Sequence, residues 1–243
     1  MPMLRDAAQA ARKAFRGRGA DAGPEAVATA GVVVDAAYGA TPVRFFVADR
    51  NNEIQREHRA GRFHGREALG MMARGYTGGA VLDVGAGVGN HVLFAGVVLD
   101  APKIIAIEPN AGAQRILELN VLLNGLERRV EILKCGLSAT SGRASWIGES
   151  ARLEEGDGEV RLEAGDDVVA DEVGFIRIGA EGFEVEVLKG LARTIRRCRP
   201  RIFIEVEPRN EAAFQAHIRG LGYRIGDAYE HYDDPVTYLL DPA

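Results

Sequence analysis

The chain has 243 residues, of which 47% are hydrophobic and 27% are charged, and its formal net charge is -5. This composition is ordinary for a soluble globular protein with one sizeable core, and no apolar run approaches the roughly 20 residues that a membrane span needs. The negative charge gives no overall attraction to nucleic acid, which we therefore do not expect as a partner.

The two cysteines, Cys135 and Cys198, suggest neither a disulfide framework nor a zinc site, because they are few and lack a CxxC spacing. They favour a reducing compartment, and we expect a cytoplasmic location. No cluster of histidine, cysteine and aspartate has the spacing of metal ligands, so the sequence predicts no required metal.

Residues 1–75 are predicted to form an N-terminal extension. Residues 1–19 are basic and alanine-rich without a continuous apolar segment, which indicates a short amphipathic helix rather than a targeting signal. Residues 31–50 hold two β-rich runs separated by the turn-forming residues 38–42, a pattern that predicts a β-hairpin. A helix is expected over residues 63–74.

Residues 76–243 are predicted to form the main domain. Short apolar runs alternate there with segments of helical period, which is typical of βαβ units and a mostly parallel sheet. One crossover helix ends at the "NGL" of residues 124–126, and a later helix begins near Asn210 and stops at Gly220. The predicted strands are 80–84, 103–108, 129–134, 174–178 and 201–206, followed by an antiparallel pair, with a hairpin inserted within 137–171.

The first of these strands runs into the stretch "VLDVGAGVGNH", residues 81–91, whose glycine loop spans residues 85–89. A glycine-rich turn from a strand into a helix offers backbone N–H groups and a positive helix end to a ligand. The nicotinamide fingerprint does not fit, because Asn90 stands where Gly or Ala is wanted and Asp83 where the residue is normally apolar. A Walker A phosphate loop is also excluded, since no Gly-Lys-Ser/Thr follows.

Two acids near this loop indicate a ligand that carries both a positive charge and a ribose. Asp83 precedes the first glycine by two residues and can compensate a cation. Glu108 ends the second strand, where a carboxylate can accept hydrogen bonds from both ribose hydroxyls. S-adenosylmethionine has a ribose, a sulfonium and an amino group, and is therefore the predicted cofactor. Asn110 fits better as a helix cap than as a ligand contact.

Several blocks of the chain resemble, in order, the FkbM family of S-adenosylmethionine-dependent methyltransferases. They are "VLDVGAGVGNHVLFAG", "IIAIEPNAGAQRILELNVLLNGLERRV", "CGLSATSGRA" and "FIRIGAEGFEVEVLKG" with the later "RPRIFIEVE". The resemblance implies an α/β fold with a Rossmann-like, seven-stranded class I methyltransferase sheet, mostly parallel with an antiparallel last strand. It also implies O-methylation of a hydroxyl on a small molecule or saccharide.

Carried over by position, the family's cofactor residues fall on three parts of the chain. The resemblance places Asp83, Gly85, Gly87 and Asn90 at the methionine end of the cofactor, Glu108 at the ribose, and Gly136, Leu137 and Ser138 near the adenine.

Two positions on the expected acceptor side depart from the family pattern. Gly179 stands where a block that usually reads "KIDVEG" has its aspartate, and Gly65 ends a tripeptide that often reads "FYE". Cofactor capture is thus expected to be intact, while the acceptor chemistry is open. A protein that binds S-adenosylmethionine without transferring its methyl group is therefore an alternative, and a nicotinamide-dependent oxidoreductase is a weaker one.

Four side chains are candidates for the acceptor side. Glu181, just past the fourth strand, is the first choice for a base or an acceptor anchor, although it would also suit a solvent-facing helix acid. His64 can serve as a base near neutral pH, and His91 can do so but suits a packing role better. Glu205 lies in an apolar strand, so it is either functional or paired with an arginine such as Arg177.

Overall fold

The computed structural model describes residues 30–147, 152–230 and 235–243, so the helix predicted for residues 1–19 lies outside the described residues. The described chain opens with an antiparallel hairpin of β1 (Val32–Tyr38) and β2 (Thr41–Val47). The turn between them contains Gly39, whose φ of 59° is a conformation that glycine adopts without strain. The predicted hairpin is confirmed.

Two helices follow the hairpin. Helix α1 (Glu53–Arg59) begins after Asn52, whose side chain accepts a hydrogen bond from a backbone N–H of the first turn. Its sequence is almost entirely polar and did not predict a helix. Helix α2 (Arg66–Gly75) starts three residues later than predicted, because Gly65 caps it in the left-handed conformation.

The remaining strands and helices alternate along the chain. The strands are β3 (Ala80–Val84), β4 (Ile104–Ile107), β5 (Val130–Leu133), β6 (Gly136–Ser138), β7 (Gly142–Trp146), β8 (Leu153–Glu155), β9 (Val160–Ala164), β10 (Val173–Ile178), β11 (Arg201–Val206), β12 (Tyr223–Tyr229) and β13 (Val236–Pro242). The helices are α3 (Asn90–Leu93, continued as a π-helix over Phe94–Val98), α4 (Ala111–Leu123), α5 (Gly165–Val168), α6 (Glu184–Gly190), α7 (Ala192–Cys198) and α8 (Glu211–Gly220), the last preceded by a 3-10 turn at Pro208–Asn210.

Seven strands form the central sheet, in the order β12-β13-β11-β10-β3-β4-β5. The pairs from β11 to β5 are parallel, and β13 is antiparallel to both of its neighbours. Helices connect the parallel strands, since a parallel pair needs a crossover. The predicted sheet, mostly parallel with an antiparallel last strand, is confirmed.

A second, smaller sheet occupies the region where a hairpin was predicted. Strands β7 and β9 pair antiparallel, as expected, but β8 and β6 extend the pair to four strands in the order β6-β9-β7-β8. Strands β6 and β8 have three residues each, which is too short to leave a periodic pattern in the sequence.

The central sheet is buried on both faces. Leu82 and Ile176 pack in a cluster with α6, α7 and α8, whereas Val81 and Phe175 pack in a cluster with the hairpin, α2 and α3. Neighbouring strand residues thus point to opposite cores, which explains why these strands read as continuous apolar runs. None of the helices in the described parts of the chain is long and apolar enough to cross a membrane.

Candidate cofactor and acceptor site

Four polar side chains gather where β3, β4, β10 and β11 end. They are Asp83, Glu108, Arg177 and Glu205, and each lies two positions after a strand residue that packs in the cluster with the hairpin. Because alternate residues of a strand share a face, all four side chains stand on one face of the sheet. Ligands of open α/β sheets bind at this carboxyl edge.

The glycine loop needs its glycines for different reasons. Gly85, Gly87 and Gly89 have φ values of 81°, 55° and 96°, a region that other residues rarely adopt. A Cβ at Gly85 would clash with the carbonyl oxygen of Gly179, and one at Gly89 would lie 2.7 Å from Leu117 Cδ1. A Cβ at Gly87 would have no atom within 4 Å, so the backbone there borders open space.

Glu108 fixes this loop from the neighbouring strand. Its side chain is buried, with Oε2 accepting from the Gly87 backbone N–H at 2.6 Å and Oε1 from that of Asn110 at 2.7 Å. Burial raises the pKa of Glu108, and the two hydrogen bonds oppose that shift. Each carboxylate oxygen has two lone pairs, so each can accept a further hydrogen bond from a ribose hydroxyl. Asn110 caps α4 as predicted, by accepting from Ala113 N at 2.9 Å.

Asp83 is fully buried beside the loop. Its Oδ1 lies 3.4 Å from Arg177 Nη1, while Oδ2 has no hydrogen-bond partner among the described residues. Burial raises the pKa of Asp83 to about 6, against the lowering effect of the Arg177 charge. A buried carboxylate oxygen without a partner is costly, and it leaves an acceptor for a cationic ligand group.

Arg177 joins the two halves of this edge. Its Nη1 donates to the carbonyl oxygen of Gly85 at 2.9 Å, and its Nη2 donates to Glu205 Oε2 at 2.5 Å. Of the two alternatives for Glu205, a functional role or a pairing with an arginine such as Arg177, the structure shows the pairing. One guanidinium ties together the ends of β3, β10 and β11.

Asn90 turns its side chain toward the segment between α1 and α2. Its Oδ1 accepts from His64 N at 3.0 Å, its Nδ2 donates to His64 O at 3.1 Å, and His58 Nε2 lies 3.1 Å from the same Oδ1. His58 therefore carries its proton on Nε2. These bonds use the polar atoms of Asn90 to hold the His64 backbone beside the first turn of α3.

His58 was not identified from the sequence. It is buried, its ring stacks on Phe45 with centroids 4.2 Å apart, and burial lowers its pKa to about 4. It sits in a short polar helix that gave no hydrophobic pattern, so no local signal could have found it. His91 is also buried, and burial together with the Arg177 charge keeps its pKa well below the usual value.

The segment predicted to lie near the adenine forms β6. Leu137 is part of the core, and Ser138 Oγ donates to Glu155 Oε1 at 2.6 Å. The Glu108 backbone N–H donates to the carbonyl oxygen of Leu133 at 3.1 Å, so the end of β5, which leads into β6, lies beside the end of β4. The β6 side chains face the interior, so a ligand beside this segment would meet its backbone.

The proposed acceptor side contains a residue with a positive φ, Glu181, and a glycine, Gly179, whose missing side chain leaves room for an ion pair. Glu181 has a φ of 44° and is exposed overall, but neighbouring groups screen its carboxyl from part of the water. This partial desolvation, and after it the nearby Glu207 carboxylate, raises the pKa of Glu181. A Cβ at Gly179 would clash with Arg177 Nη2 and Glu205 Oε2. An aspartate at position 179 would thus displace the ion pair, and this is a physical reason for the departure from the family pattern.

Over the described ranges, no group of three or more His, Cys, Asp and Glu side chains is placed to hold a metal ion. The site does fit S-adenosylmethionine. The unpartnered Asp83 oxygen suits a positive group, the spare lone pairs of Glu108 suit the ribose, and the space beside Gly87 admits a ligand against the backbone.

Comparison with known proteins agrees with this geometry. Residues 83–228 match the family model of the methyltransferase FkbM domain. The fold is similar to that of the methyltransferase FkbM from Methylobacillus flagellatus KT, with 20% identity and a TM-score of 0.54 over 67% of this chain and 43% of that one. This chain therefore spans less than half of that solved chain.

Two further solved structures are similar. A putative rRNA-methylase from Clostridium thermocellum has 11% identity and a TM-score of 0.52 over 72% of this chain and 93% of that one. TYW2 of M. jannaschii, solved in complex with AdoMet, has 15% identity and a TM-score of 0.49 over 87% of each chain. A search among curated proteins gave no significant match.

The family match extends over more than half of the chain and begins at Asp83, the first residue of the cofactor site. This match contradicts the alternative of a nicotinamide-dependent oxidoreductase. It identifies the fold as that of a class I methyltransferase, and the cofactor as S-adenosylmethionine. The chain belongs to the FkbM family of methyltransferases.

Proposed function

We propose that the protein methylates a hydroxyl oxygen of a small molecule or saccharide. The observation that supports this most is the pair of carboxylates, Glu181 and Glu205, at the ends of β10 and β11 beside the cofactor loop. A hydroxyl acceptor benefits from a positioned base, and a carboxylate at this edge is one. The raised pKa of Glu181 brings that group closer to working pH.

The chain's own residues divide the work between cofactor and acceptor. S-adenosylmethionine supplies a methyl group on a sulfonium; the acceptor oxygen bonds to the methyl carbon, sulfur keeps the electrons of the broken bond, and the hydroxyl proton passes to a base. Asp83 would hold the cationic part of the cofactor and Glu108 its ribose, and the glycine loop would let the backbone approach it. Within the described part of the N-terminal extension, the segment between α1 and α2 lies against α3, because the His64 backbone is bonded to Asn90.

The charges of the acceptor side favour a neutral acceptor. Glu205 and Glu207 raise the pKa of the nearby Glu181, but each is paired with an arginine, Glu205 with Arg177 and Glu207 with Arg152. This edge therefore presents no surplus of positive charge to a nucleic acid backbone, so a small molecule or saccharide is the better acceptor. Both cysteines are free, which supports a reducing, cytoplasmic setting for the reaction.

The test is methyl transfer from S-adenosylmethionine labelled in its methyl group. The purified protein is offered a panel of phenolic, aliphatic and saccharide hydroxyl compounds, with RNA and amines as competing classes. We expect label on an oxygen of one hydroxyl class, with one demethylated cofactor formed per label. Transfer to nitrogen or to RNA would contradict the proposal. Tight cofactor binding with no transfer to any class would favour the alternative of binding without turnover.

A further inference from the structure

The proposed function leaves open which carboxylate meets the acceptor, and the surroundings of Gly179 bear on this. The space that a side chain at residue 179 would fill is taken by the Arg177 guanidinium and Glu205 Oε2. The family pattern has an aspartate at that position, directly after β10. In this chain a carboxylate from the neighbouring strand β11 occupies the same place instead.

We propose that Glu205, rather than Glu181, is the carboxylate that faces the acceptor hydroxyl, and that Arg177 holds it in the space left free by Gly179. This inference rests on the proposed function. It assigns to Glu205 the role of hydrogen-bond acceptor for the substrate hydroxyl and of base for its proton.

The solvent exposure of Asp83, Arg177 and Glu205 supports the assignment of this role to Glu205. The exposed side-chain fraction is 0% for Asp83, 7% for Arg177 and 29% for Glu205, so the ion-pair chain runs from the buried Asp83 toward solvent at Glu205. Glu205 uses Oε2 for Arg177, and its Oε1 has no hydrogen-bond partner in the described part of the chain. The carboxylate is therefore oriented by one oxygen and free at the other.

Glu181 lacks such support. Among the described residues no side-chain hydrogen bond or close ion pair reaches its carboxylate, on which Arg152 and Arg177 act only as more distant charges, and its backbone has a φ of 44°. A base must be held within hydrogen-bond reach of the proton that it takes. The held carboxylate, Glu205, meets this requirement better than the unsupported one.

The experiment uses two cofactor analogues, so no acceptor is needed. S-adenosylhomocysteine lacks the transferable group, whereas sinefungin carries an ammonium in the place of the methylsulfonium and thus adds a positive group on the side from which the methyl leaves. Calorimetry gives both dissociation constants for the wild-type protein and for Glu205→Gln. We expect Glu205→Gln to weaken sinefungin by about tenfold more than S-adenosylhomocysteine, because a charge-assisted contact is lost.

Gly179→Ala tests the packing argument without removing a charge. Its Cβ conflicts with the Arg177–Glu205 pair, so we expect the same selective loss of sinefungin affinity. Gly142→Ala is the matched glycine control, since a Cβ there would have no atom within 4 Å and Gly142 is exposed. Glu207→Gln controls for the loss of any nearby negative charge, and we expect it to change the affinity ratio by less than about twofold.

Three results would overturn the inference. Glu205→Gln could weaken both analogues equally, which would mark Glu205 as structural only. Glu181→Gln could produce the selective loss while Glu205→Gln does not, which would assign the role to Glu181. A wild-type protein that binds neither analogue would refute the proposed function itself, and the S-adenosylhomocysteine titration separates this result from the other two.

Discussion

The two halves of the proposed site differ in the contacts that hold them together. We assign Asp83, the glycine loop and Glu108 to the cofactor half. We assign His64, Gly179, Glu181 and Glu205 to the acceptor half. In the cofactor half, Glu108 is bonded to backbone N–H groups of the loop and of its own turn. In the acceptor half, the groups come from the N-terminal segment and two later strands, and the joining contacts are side-chain bonds such as Arg177–Glu205 and Asn90–His64.

This difference separates a part of the site that is compact in the sequence from a part that is spread over it. The loop depends on a few glycines and one acid that lie close together in the chain. The Arg177–Glu205 pair joins two strands, and a Cβ at Gly179 would conflict with it. We therefore expect substitutions in the proposed acceptor half to alter substrate preference more than cofactor binding.

The largest effect is expected from breaking the link between the halves. Arg177→Met leaves Asp83 fully buried without its cation, and loss of one partner of a buried pair costs about 3–5 kcal/mol. We expect urea denaturation to show a loss of that size in the free energy of unfolding. The control is Lys103→Met, whose ion pair with Asp171 is on the surface and is worth less than about 1 kcal/mol. An equal loss of unfolding free energy in the two variants would show that the buried Arg177 pairs stabilise the fold no more than a surface ion pair does.

The next effect compares two glycines within the cofactor half. Gly85→Ala adds a Cβ against the carbonyl oxygen of Gly179 at a positive φ, so we expect a loss of more than about 2 kcal/mol in stability. Gly87→Ala meets open space and should cost only about 1 kcal/mol, from its backbone conformation.

The same pair of variants separates stability from binding. If the ligand occupies the space beside Gly87, Gly87→Ala should weaken S-adenosylhomocysteine binding in a protein that is still folded by circular dichroism. Unchanged affinity in calorimetry would place the cofactor elsewhere along the loop.

Much of the fold could be predicted from the sequence because its central strands are buried on both faces. Strands β3 and β11 were predicted at the bounds observed, since continuous apolar runs of this length between helical segments are typical of parallel strands. Helix α1 and strand β8 could not be predicted, because each is short and polar and is stabilised by tertiary contacts.

The candidate site divides in the same way. The loop, Asp83 and Glu108 lie within 26 consecutive residues, 83–108, and form a spacing that can be recognised. His58 reaches Asn90 across 32 residues of sequence, and Arg177 reaches Asp83 across 94. Contacts at such separations leave no local pattern, and only the fold shows that Gly179 makes room for an ion pair.

A smaller effect concerns the ionisation of Asp83. Because burial raises its pKa from 3.8 to about 6, the folded protein binds this proton more tightly than the unfolded chain. The contribution of Asp83 to stability should therefore fall as the pH rises from 3.8 to about 6. Binding of S-adenosylmethionine should strengthen over the same rise, by up to about tenfold per pH unit, because the cationic ligand needs the ionised carboxylate.

Calorimetry between pH 5 and 7.5 checks this, with Asp83→Asn as the control that cannot titrate. The wild-type affinity should approach a plateau above about pH 7, where a carboxylate with a pKa of about 6 is almost fully ionised. A pH profile in Asp83→Asn with the same slope would assign the titration to another group, and Glu108 is then the first candidate, because burial also raises its pKa.

The smallest effect on stability is expected at Glu181, whose backbone has a positive φ. A residue other than glycine at a φ of 44° costs on the order of 1 kcal/mol. Glu181→Gly should therefore raise the free energy of unfolding by up to about 1 kcal/mol, reduced by the greater freedom of glycine in the unfolded chain. Glu181→Gln keeps the strain and removes only the charge, so it should leave stability nearly unchanged. If Glu181→Gly instead lowers the free energy of unfolding in urea, contacts of the Glu181 side chain must favour the positive φ. Glu181 would then have a structural role that Glu205 does not share.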